Sequence, residues 1–212
     1  VITLITKRIE LTKIFSQHIH EMNFDENFMN ISREIDSHND RNERLVKISR
    51  DITVASKRLI FSILRGGKNL LSDVCVFFAA ADRELLAAGP EAFWHFHRSF
   101  SPGTQEFVEA AVLMFYVTEN GRLISRAEIE RKVWETLPGS SHAIRICDED
   151  YLLGVLDATG EVMRHGLSAI AKGDLQSCEN ARNFVRQVYS CERISCASLP
   201  LHFYCISRPF FV

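Results

Sequence analysis

This 212-residue sequence contains no Cys-x-x-Cys, no long apolar run and no strong excess of either charge. Each absence excludes a class of protein. The six cysteines, Cys75, Cys147, Cys178, Cys191, Cys196 and Cys205, are irregularly spaced and three of them crowd into the last stretch, which argues against a zinc site and against a disulfide framework. No segment reaches the roughly 18 to 20 apolar residues that a bilayer span needs. The opening Val1-Ile2-Thr3-Leu4-Ile5-Thr6 is too short and wrongly flanked for a signal peptide. The expectation is a soluble, reduced, intracellular protein with no membrane partner. A formal net charge of -2 excludes a histone-like coat of positive charge, so any nucleic-acid contact must come from a local basic face. Strand signals are weak before Tyr189, and there is no internal repeat or low-complexity linker. The chain opens on Val1 rather than methionine, which reads as a fragment or an incomplete gene model.

What is present is helical periodicity. Between 41 and 65, Leu45, Ile48, Ile52, Ala55, Leu59 and Ile63 recur at steps of three or four, one stripe of an α-helix ended by Gly66-Gly67. A second helix reads from Leu70 to Leu86, stopped by Gly89-Pro90, and a short aromatic one from Glu91 to Phe100. Ser101-Pro102-Gly103 looks like a fresh helix start, after which 104–118 is apolar nearly all round and should be central. Ser125 and Glu128 have capping-box spacing for a short helix ending near Trp134, and Pro138-Gly139-Ser140-Ser141 reads as a loop. Asp148, Glu149 and Asp150 open a long helix closed by Gly173, and another helix spans about 175–189. The expected architecture is an all-α helical bundle. Its parts are an unassigned segment 1–34, a helical domain 35–189, and a tail 190–212 without helical period, read as translated intron or a wrong exon junction.

Two pairs of acids stand out. Glu106 and Glu109 are three apart, and Asp157 and Glu161 four apart, so each pair shares a helix face within a stretch otherwise written for burial. Carboxylates in such surroundings persist if they are protonated, paired with cations, or bound to metal. Hard oxygen ligands suit Mg²⁺ or Mn²⁺, which orient water and stabilise charge on a phosphate. The plainer alternative is that Glu106 and Glu109 are first-turn acids favoured by the helix dipole, and that Asp157 and Glu161 pair with basic residues on a neighbouring helix. His95, His97 and Arg98 lie just before Glu106. On the first long helix, Lys47, Arg50, Lys57, Arg58 and Arg65 fall mainly opposite the apolar stripe, and 41–68 holds eight basic residues against two acidic ones. Such a face fits a single-stranded nucleic-acid track, a solvated helix surface or a nuclear-import signal equally well.

Several motifs, in order and spacing, resemble the translin family. They are the run from Asp40 to Thr53, Phe96-His97-Arg98, Gln105-Glu106-Phe107-Val108-Glu109-Ala110, Asp150-Tyr151-Leu152-Leu153-Gly154-Val155, Thr159-Gly160-Glu161-Val162-Met163-Arg164, Gly173-Asp174, and Phe184-Val185-Arg186-Gln187-Val188-Tyr189. The resemblance covers about 35–189. It implies a translin-like bundle of about seven helices, with the last ones missing or replaced here, and a hetero-oligomer with translin that forms a hollow particle and cuts single-stranded RNA inside it. Carried over residue by residue, it makes Glu106, Glu109 and Asp157 metal-holding catalytic acids, with Glu161 one turn beyond as ligand or water-orienting base. Translin itself lacks the first acidic pair, so the resemblance points to the catalytic subunit. It also implies binding of single-stranded DNA. Lys47, Arg50, Lys57, Arg58, His97 and Arg98 are the candidate nucleic-acid contacts, Mg²⁺ (or Mn²⁺) the expected cofactor, and cytoplasm and nucleus the expected location. The loop from Leu137 to Asp148 is shorter than in such relatives. The rival reading is a non-catalytic partner that stabilises translin. A di-iron carboxylate bundle wants Glu-x-x-His, whereas Glu161 and His165 are four apart.

Overall fold

The computed structural model describes residues 24–67, 70–137, 139 and 142–198, with side chains described from 26 to 190 of these. Among the described residues lie six α-helices and no strand: α1 Phe24–Leu64, α2 Leu71–Ala88, α3 Ala92–Thr118, α4 Arg126–Thr136, α5 Asp148–Ala171 and α6 Leu175–Ser198. The all-α expectation holds. The N-terminal segment through 23, positions 138, 140 and 141 of the sequence-read loop, and the tail from 199 lie outside the described residues. No helix among those described is long and apolar enough to cross a membrane.

The chain divides into two compact units, Val1–Glu43 and Arg44–Val212. The described part of the first is helical and exposes Phe28, Met29, Ile31 and Ile35. The second holds the hydrophobic core. The α1 stripe is seated there as its spacing requires, with Leu45, Ile52, Ala55 and Leu59 buried and Ile48 and Ile63 packed at the edge. Helix α2 buries Val74, Phe78, Ala81 and Leu85 at steps of three or four, with Cys75 beside them, and ends at Gly89, whose φ of +102° few other residues adopt. The helices that pack most extensively are α3 with α5 and α5 with α6.

Helix α3 corrects the sequence reading. The aromatic helix and the apolar helix are one continuous element, with Pro102 inside it rather than at a start. Proline has no N–H for the carbonyl four residues back, so an internal proline costs a helix one bond and some local geometry. The backbone beside it is completed from another helix. Ser49 of α1 donates its hydroxyl to the Phe100 carbonyl at 3.3 Å and accepts the Gly103 N–H at 3.0 Å, while Thr104 also donates to Phe100 at 3.3 Å. The approach that permits this is close: a Cβ on Gly103 would lie 2.5 Å from the Ser49 carbonyl oxygen. Local sequence signalled a break because the repair comes from a residue far away in the chain.

The Ser125–Glu128 capping box forms as its spacing predicts. Residues 142–147 then form an irregular segment, pinned on both sides. Asp82 of α2, 3% exposed, accepts the N–H groups of Ala143 and Ile144 at 2.6 and 3.2 Å. Ile146 donates to Glu130 at 2.9 Å and accepts from Arg126 at 2.9 Å. This segment delivers Cys147 as the N-cap of α5, and Gly173, at φ +81°, follows its end. Helix α6 continues through Ser198, so the first part of the tail is helical where the sequence pattern suggested none.

Ser49→Ala removes both repairs beside Pro102 without adding bulk. We expect it to cost about 1–3 kcal/mol and to lower Tm by about 3–10 °C in a thermal melt followed by circular dichroism; an unchanged Tm would show that Ser49 does not complete α3.

Candidate active site

Three fastenings bring the sequence-predicted acids together. The first is Gly154 on α5, which faces the Gln105–Val108 turn of α3 so closely that a Cβ would lie 2.6 Å from Val108 Cβ and 2.7 Å from the Gln105 carbonyl oxygen. Asp157 and Glu161 follow along the same helix and run beside Glu106 and Glu109. The second is Asp150, fully buried in the first turn of α5, where the helix N-terminus favours negative charge. Its Oδ1 accepts from Ser101 Oγ at 2.6 Å and from Gln105 Nε2 at 2.8 Å, and its Oδ2 lies 2.7 Å from His97 Nε2. All three partners are on α3, so one carboxylate sets the register of two helices. The third is Lys57 of α1, whose Nζ stands 3.1 Å from Glu106 Oε1.

The acids feel one another. Burial pushes the Glu109 carboxyl up to about 7, assisted in turn by the negative charges of Glu106, Asp157 and Glu161 and opposed by Lys57. Asp157 is also raised, by burial first and then by Glu106. One oxygen each of Glu106 and Glu161, Oε2 in both, is buried without a hydrogen-bond partner. Glu106 Oε1 takes Lys57, and Glu161 Oε1 takes Arg164 at 3.3 Å. Buried acceptors of this kind are uncommon and costly. An all-oxygen donor set with two stranded buried oxygens fits a hard divalent cation such as Mg²⁺ or Mn²⁺. The carboxylate oxygens of the four acids do not, however, draw within 4.8 Å of one another in threes, as the His97, Cys147 and Asp150 ligand atoms do.

Several sequence expectations are adjusted by these positions. The acids line the edge of the α3–α5 contact instead of sitting in the core: Glu106, Glu109 and Glu161 are half-buried, and Asp157, partly desolvated, is the most open of the four. Apolar neighbours along α5 suggested burial, but the helix turns this face outward. His97, read as a nucleic-acid contact, turns its Nε2 to Asp150. Lys47, Arg50, Lys57, Arg58 and Arg98 are exposed, with Lys57 joined to Glu106. Arg58, Phe61, Ser62, Arg65 and Gly67 line an open cleft of about 480 Å³ at the C-terminal end of α1. Phe61, 53% exposed, is not a member of the apolar stripe, and the sequence pattern did not single it out. The sequence reading took Asp150 as a dipole-favoured helix opener, where the structure makes it a buried junction.

The raised Glu109 carboxyl fixes the sign of a pH effect. Its folded-state pKa lies above the ordinary glutamate value, so its contribution to stability is complete below that value and is lost as pH rises through about 7. Without divalent cations, Tm should fall between about pH 5 and about pH 8, and Glu109→Gln should flatten that fall. A wild-type slope unchanged in the variant would remove Glu109 as its source.

The comparisons with known proteins agree with this fold. The Translin family pattern matches residues 40–202, which runs beyond Tyr189, where the motif resemblance stops. The chain is 34% identical to Translin-associated protein X of Rattus norvegicus, with 76% of this chain and 64% of that protein covered. With the same coverage it is 32% identical to the Pongo abelii protein of that name. It is 30% identical to the Translin-associated protein X homolog of Schizosaccharomyces pombe, over 80% of this chain and 74% of that one. It therefore spans just under two thirds of the length of these mammalian relatives. The crystal structure of apo-NeC3PO superposes with a TM-score of 0.64 at 22% identity, over 83% of this chain and 84% of that chain, which is a likeness of fold. By sequence over most of its length and by helical architecture, this chain belongs to the translin family.

Proposed function

We propose that this chain is the RNA-cutting subunit of a hetero-oligomer with translin, a metal-dependent endoribonuclease that hydrolyses phosphodiester bonds in single-stranded RNA. The observation that carries the reading is the acid cluster: Glu109 is raised to about 7 beside three other carboxylates, and two of those bury an oxygen that no group in the protein satisfies. The names of the relatives, Translin-associated protein X, support translin as partner.

Glu106, Glu109 and Asp157 would hold Mg²⁺ or Mn²⁺, and Glu161 would serve as a further ligand or orient the attacking water. When bound, such an ion lowers the pKa of water and stabilises charge developing on a phosphate. Lys57, at the rim of the cluster, is placed to draw a phosphate oxygen toward Glu106. Further along α1, Phe61 offers a face on which a base can stack, between Arg58 and Arg65 for the flanking phosphates. Lys47, Arg50 and Arg98 extend the exposed positive charge. Phosphate and base contacts of this kind would also take single-stranded DNA on the same track. A cytoplasmic and nuclear location accords with RNA processing and with the basic run of α1.

A second reading rests on the ion pairs Lys57–Glu106 and Arg164–Glu161, which offset part of the acids' charge without a metal. On that reading the chain is a non-catalytic partner that stabilises translin.

Cleavage of a labelled single-stranded RNA by the chain co-expressed with translin, with Mg²⁺ and with EDTA, separates the two. We expect Mg²⁺-dependent cutting that Asp157→Asn and Glu106→Ala/Glu109→Ala abolish while translin binding persists. Cutting that survives EDTA and both variants, or an assembled complex that does not cut, would favour the stabilising partner.

A further inference from the structure

At the N-terminal end of α5, away from the four acids, His97 Nε2, Cys147 Sγ and a carboxylate oxygen of Asp150 all lie within 4.8 Å of one another. We propose that His97, Cys147 and Asp150 form a second cation site, for a borderline-soft divalent ion of the Zn²⁺ class. One nitrogen, one sulfur and one oxygen are the donors that Zn²⁺ takes, whereas the all-oxygen cluster suits a harder ion. The sequence alone argued against zinc because its cysteines show no paired spacing. Here the ligands come from two helices, with His97 far earlier in the chain than Cys147.

The distances need little adjustment. His97 Nε2 stands 2.7 Å from Asp150 Oδ2 and 3.3 Å from Cys147 Sγ. Ligands around a tetrahedral zinc at ordinary bond lengths lie about 3.3–3.6 Å apart, so the His97–Asp150 pair would open by roughly 0.6 Å to admit the ion, while His97 and Cys147 already stand near that spacing. Each ligand is already oriented. Ser101 and Gln105 both donate to Asp150 Oδ1, which leaves Oδ2 to face the ion, an arrangement that metal-binding carboxylates commonly have. The His97 ring is set between Phe93 and Phe100, at centroid distances of 5.5 and 5.7 Å. The 142–147 segment fixes Cys147 through the bonds of Ile146 to Glu130 and Arg126.

Two other uses of these residues fit less well. A nucleophilic Cys–His–Asp triad places the thiol and the carboxylate on different ring nitrogens, but here both face the same Nε2. A purely structural N-cap is served better by serine, threonine or aspartate than by cysteine, yet Cys147 Sγ takes the Asp150 N–H at 3.3 Å. Three protein ligands leave a fourth position for water. The bound ion would tie α3 to α5 at the end from which Gly154, Asp157 and Glu161 follow, so its role is to hold that register.

The test uses the full chain, stripped with a chelator and titrated with Co²⁺ as the optical probe, then with Zn²⁺. One equivalent of Co²⁺ should produce a thiolate charge-transfer band in the near ultraviolet, and Zn²⁺ should erase it. Cys147→Ser should lose the band and weaken Zn²⁺ binding by about tenfold or more; Glu106→Gln/Glu109→Gln should keep both. No band in the wild type, or a band that persists in Cys147→Ser, overturns the proposal, the second result by assigning the sulfur to another cysteine. If Cys147→Ser does not fold, His97→Gln reads the same loss of Zn²⁺ affinity with the sulfur intact, and wild-type affinity in that variant overturns the site.

Discussion

A carboxylate removed wholly from water needs hydrogen-bond partners at both oxygens, and Asp150 has them. Ser101, Gln105 and His97 reach it from α3, and the α5 N-terminus lies behind it. Hydrogen bonds to a carboxylate are short and directional. They therefore fix more than adhesion between two helices. They fix which residue of one lies opposite which residue of the other, and every position downstream on α5 inherits that choice. Gly154 then allows the closest approach, and the acids meet beyond it.

The meeting of those acids runs against the preference of an isolated fold. Four carboxylates are held near enough to raise Glu109, with Lys57 and Arg164 as paired counter-charges. Stability alone would replace some of them with amides or apolar groups. Departures of this kind, where a local rule is broken inside a well-packed helical core, concentrate at working sites. Asp150 differs from them: both of its oxygens have partners where it joins the helices, whereas Glu106 and Glu161 each keep a buried oxygen without one.

Much of this was legible in the sequence. The α1 stripe, the Ser125–Glu128 cap, the opening of α5 by acids and the central apolar helix follow from local periodicity and capping, and the structure has all of them. The four acids were visible as same-face pairs, since their spacing is a helical fact. Their exposure was not, because which side of α5 faces out depends on how α3 and α6 pack around it. The Asp150 junction was hidden for a similar reason: its partners lie about fifty positions earlier, and no short-range pattern links them. Pro102 misled because its local meaning, a helix start, is overruled by Ser49 of another helix.

That last feature makes the long central helix a product of association. The segment around Pro102 is written locally as two short helices, and only when α1 lies against Gly103 does the backbone on either side of the proline find its missing partners. Helix continuity and helix docking are consequently one cooperative event. Glu106 and Glu109 belong to the half of α3 just past that join. Whatever these acids do, the chain acquires the ability to do it only once distant parts have come together, and an isolated peptide bearing the same motif would have the residues without the site.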